Sequence, residues 1–133
     1  MRFARWVFMV AGVLGVIIMI PMYFFEERVG LDHPPAITHP EIYYGFVGVT
    51  LAWQLMFLVI AFDPIRYRLA MLPAIVEKLS FVIAILVLCV LGRVSGSVIG
   101  FAALDAVWMV LFTVAFLRLP KANTYADSNF CRV

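Results

Sequence analysis

Four long apolar runs, at about residues 3–25, 42–62, 73–91 and 98–117, leave this chain little choice of fold. In hydrocarbon every backbone N–H and C=O must find its partner inside the protein, and a helix provides those partners within its own segment. Runs of roughly 19 to 23 residues at about 1.5 Å per residue cover a hydrocarbon core of about 30 Å. Composition agrees: 65% of the 133 residues are hydrophobic and 14% charged, with a mean hydropathy of +1.06, whereas a soluble domain is about 45–50% apolar. The expected fold is all-α, a polytopic antiparallel bundle of four transmembrane helices over residues 1–120. Residues 121–133 form a polar tail with too little apolar surface to pack alone, expected to be mobile or docked on a partner.

The first run follows Arg2 and Arg5, as a signal peptide would. Its apolar stretch exceeds the roughly 7–15 residues of a signal h-region, and Tyr23-Phe24-Phe25-Glu26-Glu27 offers no small-x-small cleavage site, so a retained helix is expected. Apart from Lys78, the basic residues lie at or beyond the ends of the four runs, with Arg2, Arg5, Arg66, Arg68, Arg118, Lys121 and Arg132 on one side and only Arg28 and Arg93 on the other. The positive-inside bias then puts both termini in the cytoplasm of a bacterial inner membrane, with the Glu26–Glu41 and Gly92–Ser97 loops outside. An even number of spans requires the shared side. Cys89 lies in the third run and Cys131 in the tail, where thiols stay reduced, so no disulfide is expected.

Proline marks the ends of the runs. Asp63-Pro64 closes the second, Pro73 sits at the start of the third, where a missing N–H is tolerated, and Pro120 closes the fourth. Small residues recur four apart as Ala11 and Gly15, Gly48 and Ala52, and Gly96 and Gly100. Such pairs let backbones approach closely, because helices in lipid associate by packing rather than by the hydrophobic effect.

Polar groups inside the runs are the candidates for chemistry. Counted from the outer ends at about 1.5 Å per residue, Thr50 and Asp105 fall at about 10–12 Å depth, Gln54 and Ser80 at about 18–20 Å, and Glu77, Lys78 and Thr113 at about 22–24 Å. The first run contributes none of them and reads as an apolar wall. Lys78 is shallow enough on the cytoplasmic side to snorkel, while Glu77 gains from the helix N-terminus and from Arg66 or Arg68. Consecutive helical residues point about 100° apart, so Glu77 and Lys78 are not expected to be simply each other's partner. An interfacial ion network is favoured for them over a site wall.

Asp105 can neither snorkel nor borrow a loop arginine. It is expected to face the bundle near Thr50, at least partly protonated, as a structural hydrogen bond or as part of a site. On this count the carboxylates of Asp105 and Glu77 stand about 12–14 Å apart along the membrane normal, too far to share a metal ion or a proton. Gln54 shares a helix face with Thr50 and Phe57. It serves either as interhelical glue or, with Trp53 and Trp108, as the lining of a pocket for a flat apolar ligand such as a quinone or isoprenoid. Asp32, His33, His39 and Glu41 offer ligand types suited to Zn or Mn, but their spacing matches no compact site, and Pro34, Pro35 and Pro40 favour extended backbone. Neither a metal nor a cofactor is expected, and no basic patch suited to nucleic acid is present.

The stretches HPEIYYGF at 39–46, WQLMF at 53–57, DPIRYR at 63–68 and EK at 77–78 together resemble a family of small uncharacterised bacterial four-helix integral membrane proteins. The resemblance covers about the second and third spans and implies the four-span topology but no activity. The architecture is also similar to DoxX-like and sterol-isomerase-like bundles, at the level of helix number alone. Because no nucleophile, base and orienting group meet at one depth, the sequence favours a non-enzymatic subunit, scaffold or assembly factor. Its expected partners are membrane lipids and either further copies of itself or a partner membrane subunit. The alternative is a protein that binds, transports or isomerises an apolar small molecule (a quinone, an isoprenoid or a lipid), with Asp105 and Glu77 handling protons.

Overall fold

The computed structural model describes residues 1–32 and 34–120; His33 and the tail, including Lys121, Cys131 and Arg132, lie outside the described residues. Among the described residues all regular structure is helical. Helix α1 spans Arg2–Met22, α2 Glu26–Asp32, α3 Pro40–Phe62, α4 Met71–Val90 and α5 Gly96–Arg118, with a 3-10 turn at Arg68–Ala70 leading into α4. Helices α1, α3, α4 with its leading turn, and α5 are long and apolar enough to cross a membrane. The protein is a multi-pass membrane bundle of four helices.

Helix boundaries follow local chemistry. The first apolar run extends to Phe25, but α1 stops at Met22, one residue after Pro21, which lacks an N–H to donate into the last turn. Pro40 occupies the first position of α3 and Pro73 the first turn of α4, where no donor is missed. Helix α4 ends on Gly92 at φ +66°, the one glycine in the left-handed region, with the Arg93 N–H bonded to the Leu88 carbonyl at 2.9 Å. The short α2 was not expected within the proline-rich loop. Glu26 and Glu27 occupy its first turn, where acids suit the helix dipole, and Arg28 pairs with Asp32 one turn later.

Helix C-termini leave carbonyls without partners, a deficit that lipid cannot make good. Three side chains supply donors. The Arg5 guanidinium donates to the Phe62 carbonyl ending α3 at 3.2 Å, Arg68 donates to the Phe116 carbonyl in the last turn of α5 at 3.3 Å, and the Tyr43 hydroxyl donates to the Met22 carbonyl ending α1 at 2.7 Å. Arg68 also lies 4.0 Å over the Phe116 ring and Arg118 5.1 Å over Phe3. The start of α1, the end of α3, the start of α4 and the end of α5 therefore share one arginine-rich end.

The helices pack as two pairs, α1 with α3 and α4 with α5, joined mainly through α1 and α5. The joint is asymmetric. Its buried core draws on Phe8 and Ala11 of α1, Phe57 and Ile60 of α3, Ala74 of α4 and Phe112 of α5, all in the halves nearest the arginine-rich end. Phe8 stacks on Phe112 at 4.2 Å, and Phe57 meets Phe112 edge-on at 5.0 Å and Phe8 at 6.0 Å. Toward the other end this contact is lost and the pairs part.

Of the three small-residue pairs, the one in α1 lies at a close approach. A methyl at Gly15 would overlap the Gln54 amide, and one at Gly12, next to buried Ala11, would lie 2.7 Å from Leu58 Cδ2 and 2.9 Å from the Gln54 carbonyl oxygen. A methyl at Gly48 would lie 3.2 Å from the Tyr23 hydroxyl, while one at Gly96 or Gly100 would meet nothing within 4 Å, so that pair does not serve as a helix contact. Gly12→Ala is accordingly expected to destabilise the protein by about 1–3 kcal/mol, because a backbone carbonyl cannot move aside as a side chain can. Gly100→Ala should be neutral or stabilising by up to about 1 kcal/mol. Unfolding of both variants in mixed detergent–SDS micelles measures the contrast, and equal effects would contradict the packing described here.

Candidate functional site

Where the helix pairs part they border a half-open cavity of about 730 Å³. The residues proposed for a ligand or proton site line it: Thr50, Trp53 and Gln54 from α3, Glu77 and Lys78 from α4, and Asp105 and Trp108 from α5; Ser80 joins them and Thr113 does not. Helix α1 adds Gly15, Ile18 and Met19, so the apolar wall expected of the first span is one wall of this cavity. The volume falls within the roughly 300–1,000 Å³ of small-molecule sites.

Its lining follows helix periodicity. Phe46, Thr50, Trp53, Gln54 and Phe57 are spaced by threes and fours on α3, as are Glu77, Ser80, Phe81 and Ala84 on α4, and Val98, Phe101, Asp105 and Trp108 on α5, apart from the neighbours within each step. Phe46, Phe81, Met19 and Met22 carried no polar signal and were missed by the sequence reading. Two of them were within reach of it: Phe46 stands four residues before Thr50 and Phe81 four after Glu77.

The polar centre is an ion cluster. Lys78 Nζ donates to Glu77 Oε1 and to Asp105 Oδ2, each at 3.4 Å, and lies 3.3 Å from Glu77 Oε2 and 3.2 Å from Asp105 Oδ1. Lys78 is only 7% exposed, and its ammonium sits 5.6 Å from the centre of the Phe57 ring, just above the aromatic joint. A buried ammonium in this setting is stabilised by both carboxylates and by the electron-rich ring face.

Four expectations are corrected by this geometry. Lys78 does not snorkel to the interface but turns into the bundle. Glu77 pairs with Lys78 and not with Arg66 or Arg68: Arg68 caps α5, and the Arg66 guanidinium lies 5.7 Å from the Tyr67 ring. Asp105 does face the bundle, yet its partner is Lys78 and not Thr50. The carboxylates of Glu77 and Asp105, placed far apart by counting, share one ammonium. Counting assigns each residue the depth of its backbone, and the four-carbon stem of lysine reaches across that difference.

The neutral polar groups do not cross between helices. Gln54, 4% exposed, donates from Nε2 to the Thr50 carbonyl at 3.2 Å, Ser80 Oγ to the Glu77 carbonyl at 2.9 Å, and Thr113 Oγ1 to the Met109 carbonyl at 2.8 Å. Each satisfies itself on its own helix. Gln54 thus acts between helices by packing against Gly15 and not as hydrogen-bonding glue. In the loop after α2, His39 Nδ1 contacts Glu41 Oε1 at 3.2 Å and Asp32 pairs with Arg28. Among the described residues no three metal-ligating side chains come together.

Lys78→Met would leave two half-buried carboxylates without their shared cation and is expected to destabilise the protein by about 2–4 kcal/mol. Asp105→Asn should cost less, because Glu77 still balances the ammonium and the amide keeps a polar contact. Unfolding in mixed micelles ranks the two, and a Lys78→Met variant as stable as Asp105→Asn would contradict the shared-ammonium arrangement.

The chain matches no family model, and comparison with curated proteins and with solved structures finds no match. The chemistry of the cavity therefore carries the functional reading.

Proposed function

We propose that this membrane protein binds a small amphipathic molecule between its helix pairs, its apolar body against the aromatic and aliphatic walls and its polar head at the Glu77–Lys78–Asp105 cluster. One observation carries the reading: a cavity of about 730 Å³ whose walls are apolar and whose charged groups gather at one place. Sites for small molecules are built this way, with an apolar lining for affinity and a few convergent polar groups for orientation. A purely structural subunit or scaffold, the role favoured by the sequence, would gain contact energy by closing this space, since transmembrane helices associate through packing.

In this reading the protein lies in a bacterial inner membrane with the arginine-rich end and both termini in the cytoplasm, as the Lys and Arg distribution supports. The cavity reaches from the ion cluster to Met22, Phe46 and Val98, near the opposite ends of their helices, so the ligand would enter from the outer leaflet. In a Cys89→Ser variant, which leaves Cys131 as the sole thiol, an impermeant maleimide should label intact cells only after permeabilisation. Labelling from outside would reverse the orientation.

Binding is tested with 1-pyrenemethanol, whose ring accepts excitation energy from Trp53 and Trp108 at the cavity wall. The purified protein in detergent should show saturable energy transfer. Thr50→Phe combined with Ala84→Phe adds two rings to the wall from α3 and α4 and should weaken binding at least about tenfold, a loss of about 1.4 kcal/mol. Transfer that never saturates, or that is unchanged in the filled variant, would contradict the proposal.

A further inference from the structure

The charge and hydrogen-bond inventory of the cluster discriminates among polar heads. Glu77 and Asp105 bring two carboxylates against one ammonium, and the other residues lining the cavity are uncharged, so the site carries a formal charge of −1 when all three groups are ionised. A carboxylate accepts through two oxygens and donates nothing, and an ammonium has three hydrogens to give. Those hydrogens already face four carboxylate oxygens at 3.2–3.4 Å. Among the described residues, Glu77 Oε2 is buried and accepts no hydrogen bond despite lying 3.3 Å from the ammonium.

Among the described residues no neutral side chain donates to the carboxylates of Glu77 or Asp105, whose donor is Lys78. Gln54 Nε2 and Ser80 Oγ each already give a hydrogen to a backbone carbonyl of their own helix. The ion cluster is thus rich in acceptors and short of one positive charge. A phosphate or carboxylate head would meet two carboxylates and a lysine already neutralised by them. A quinone carbonyl, itself only an acceptor, could take a hydrogen from the Gln54 amide, the Thr50 hydroxyl or an indole N–H of the lining, but it would leave the excess negative charge and the unpartnered Glu77 Oε2 unanswered. A protonated amine would supply both the hydrogens and the charge, and Trp53 and Trp108 in the same lining add electron-rich rings suited to a cation.

Resting on the cavity reading above, we infer that the ligand is an amphipathic amine, whose ammonium group joins Lys78 between Glu77 and Asp105 while its hydrophobic part fills the aromatic space toward Phe46 and Phe101. The site then holds two cations against two carboxylates. Buried charges are tolerated in apolar surroundings when they are paired in this way and hydrogen-bonded.

Three probes with one ring system test this: 1-pyrenemethylamine, 1-pyrenemethanol and 1-pyrenecarboxylate, each followed by tryptophan-to-pyrene energy transfer in the same detergent. Signal is measured relative to the Thr50→Phe/Ala84→Phe variant, which removes the contribution of partition into the micelle. The amine should bind at least about tenfold more tightly than the alcohol, as expected for charge-assisted hydrogen bonds, and the carboxylate most weakly. In Asp105→Asn the ratio of amine to alcohol affinity should fall toward one. Glu77→Gln should lower it in the same way and serves if Asp105→Asn does not fold. An alcohol that binds as well as the amine, or a carboxylate that binds better than either, would overturn the inference while leaving the cavity reading in place. Saturable binding of none of the three would overturn both.

Discussion

The two helix pairs are joined at one end by a layer of phenylalanine rings, and the rest of the bundle depends on that joint. Phe8, Phe57 and Phe112 come from three helices and leave no exposed surface. Aromatic groups supply large, rigid contact area at small entropic cost, which suits a solvent where burial alone drives nothing. Closing the bundle at the arginine-rich end fixes where it opens: past the rings the pairs share little, and the space between them becomes the cavity. The joint also gives the ion cluster its floor, since the Lys78 ammonium rests over Phe57.

Two kinds of polar problem are solved in different places. Backbone carbonyls at the helix ends are capped by Arg5, Arg68 and Tyr43, side chains within reach of the interfaces. The charges at depth are gathered into one cluster and balanced against each other, incompletely, facing a space large enough for a ligand. A bundle selected only for stability would replace such a cluster by well-packed apolar groups, a change that is often neutral or favourable. Its presence in the cavity wall is the reason for reading the site as functional.

Much of this was legible in the sequence. The four spans come within about three residues of the observed helices, because run length and proline placement depend on the chain alone. Thr50, Gln54, Glu77, Lys78, Ser80 and Asp105 line the cavity, because polar groups within apolar runs tend to turn toward the bundle interior, whereas Thr113 bonds to its own helix and does not. The pairing among them was not legible. Depth counting treats each residue as a point on an upright helix, and it separated Glu77 from Asp105 and gave Asp105 the wrong partner. The small-residue pairs show the same limit: Ala11 and Gly15 lie in a helix contact and Gly96 and Gly100 do not, although the spacing is identical, because spacing does not say which face meets a neighbour.

The central claim is that the bundle is sealed by its aromatic joint and open to the side away from the arginines. Thiol accessibility tests it most directly. With Cys89 and Cys131 replaced by serine, a single cysteine is placed at Ala84 in the cavity wall, and oriented membranes are treated with a water-soluble cationic thiol reagent from each side in turn. The account predicts ready modification from the face opposite the arginine-rich end, slow modification from the arginine-rich face, and protection by 1-pyrenemethylamine. Equal reactivity from the two faces, or modification from the arginine-rich face alone, would contradict it.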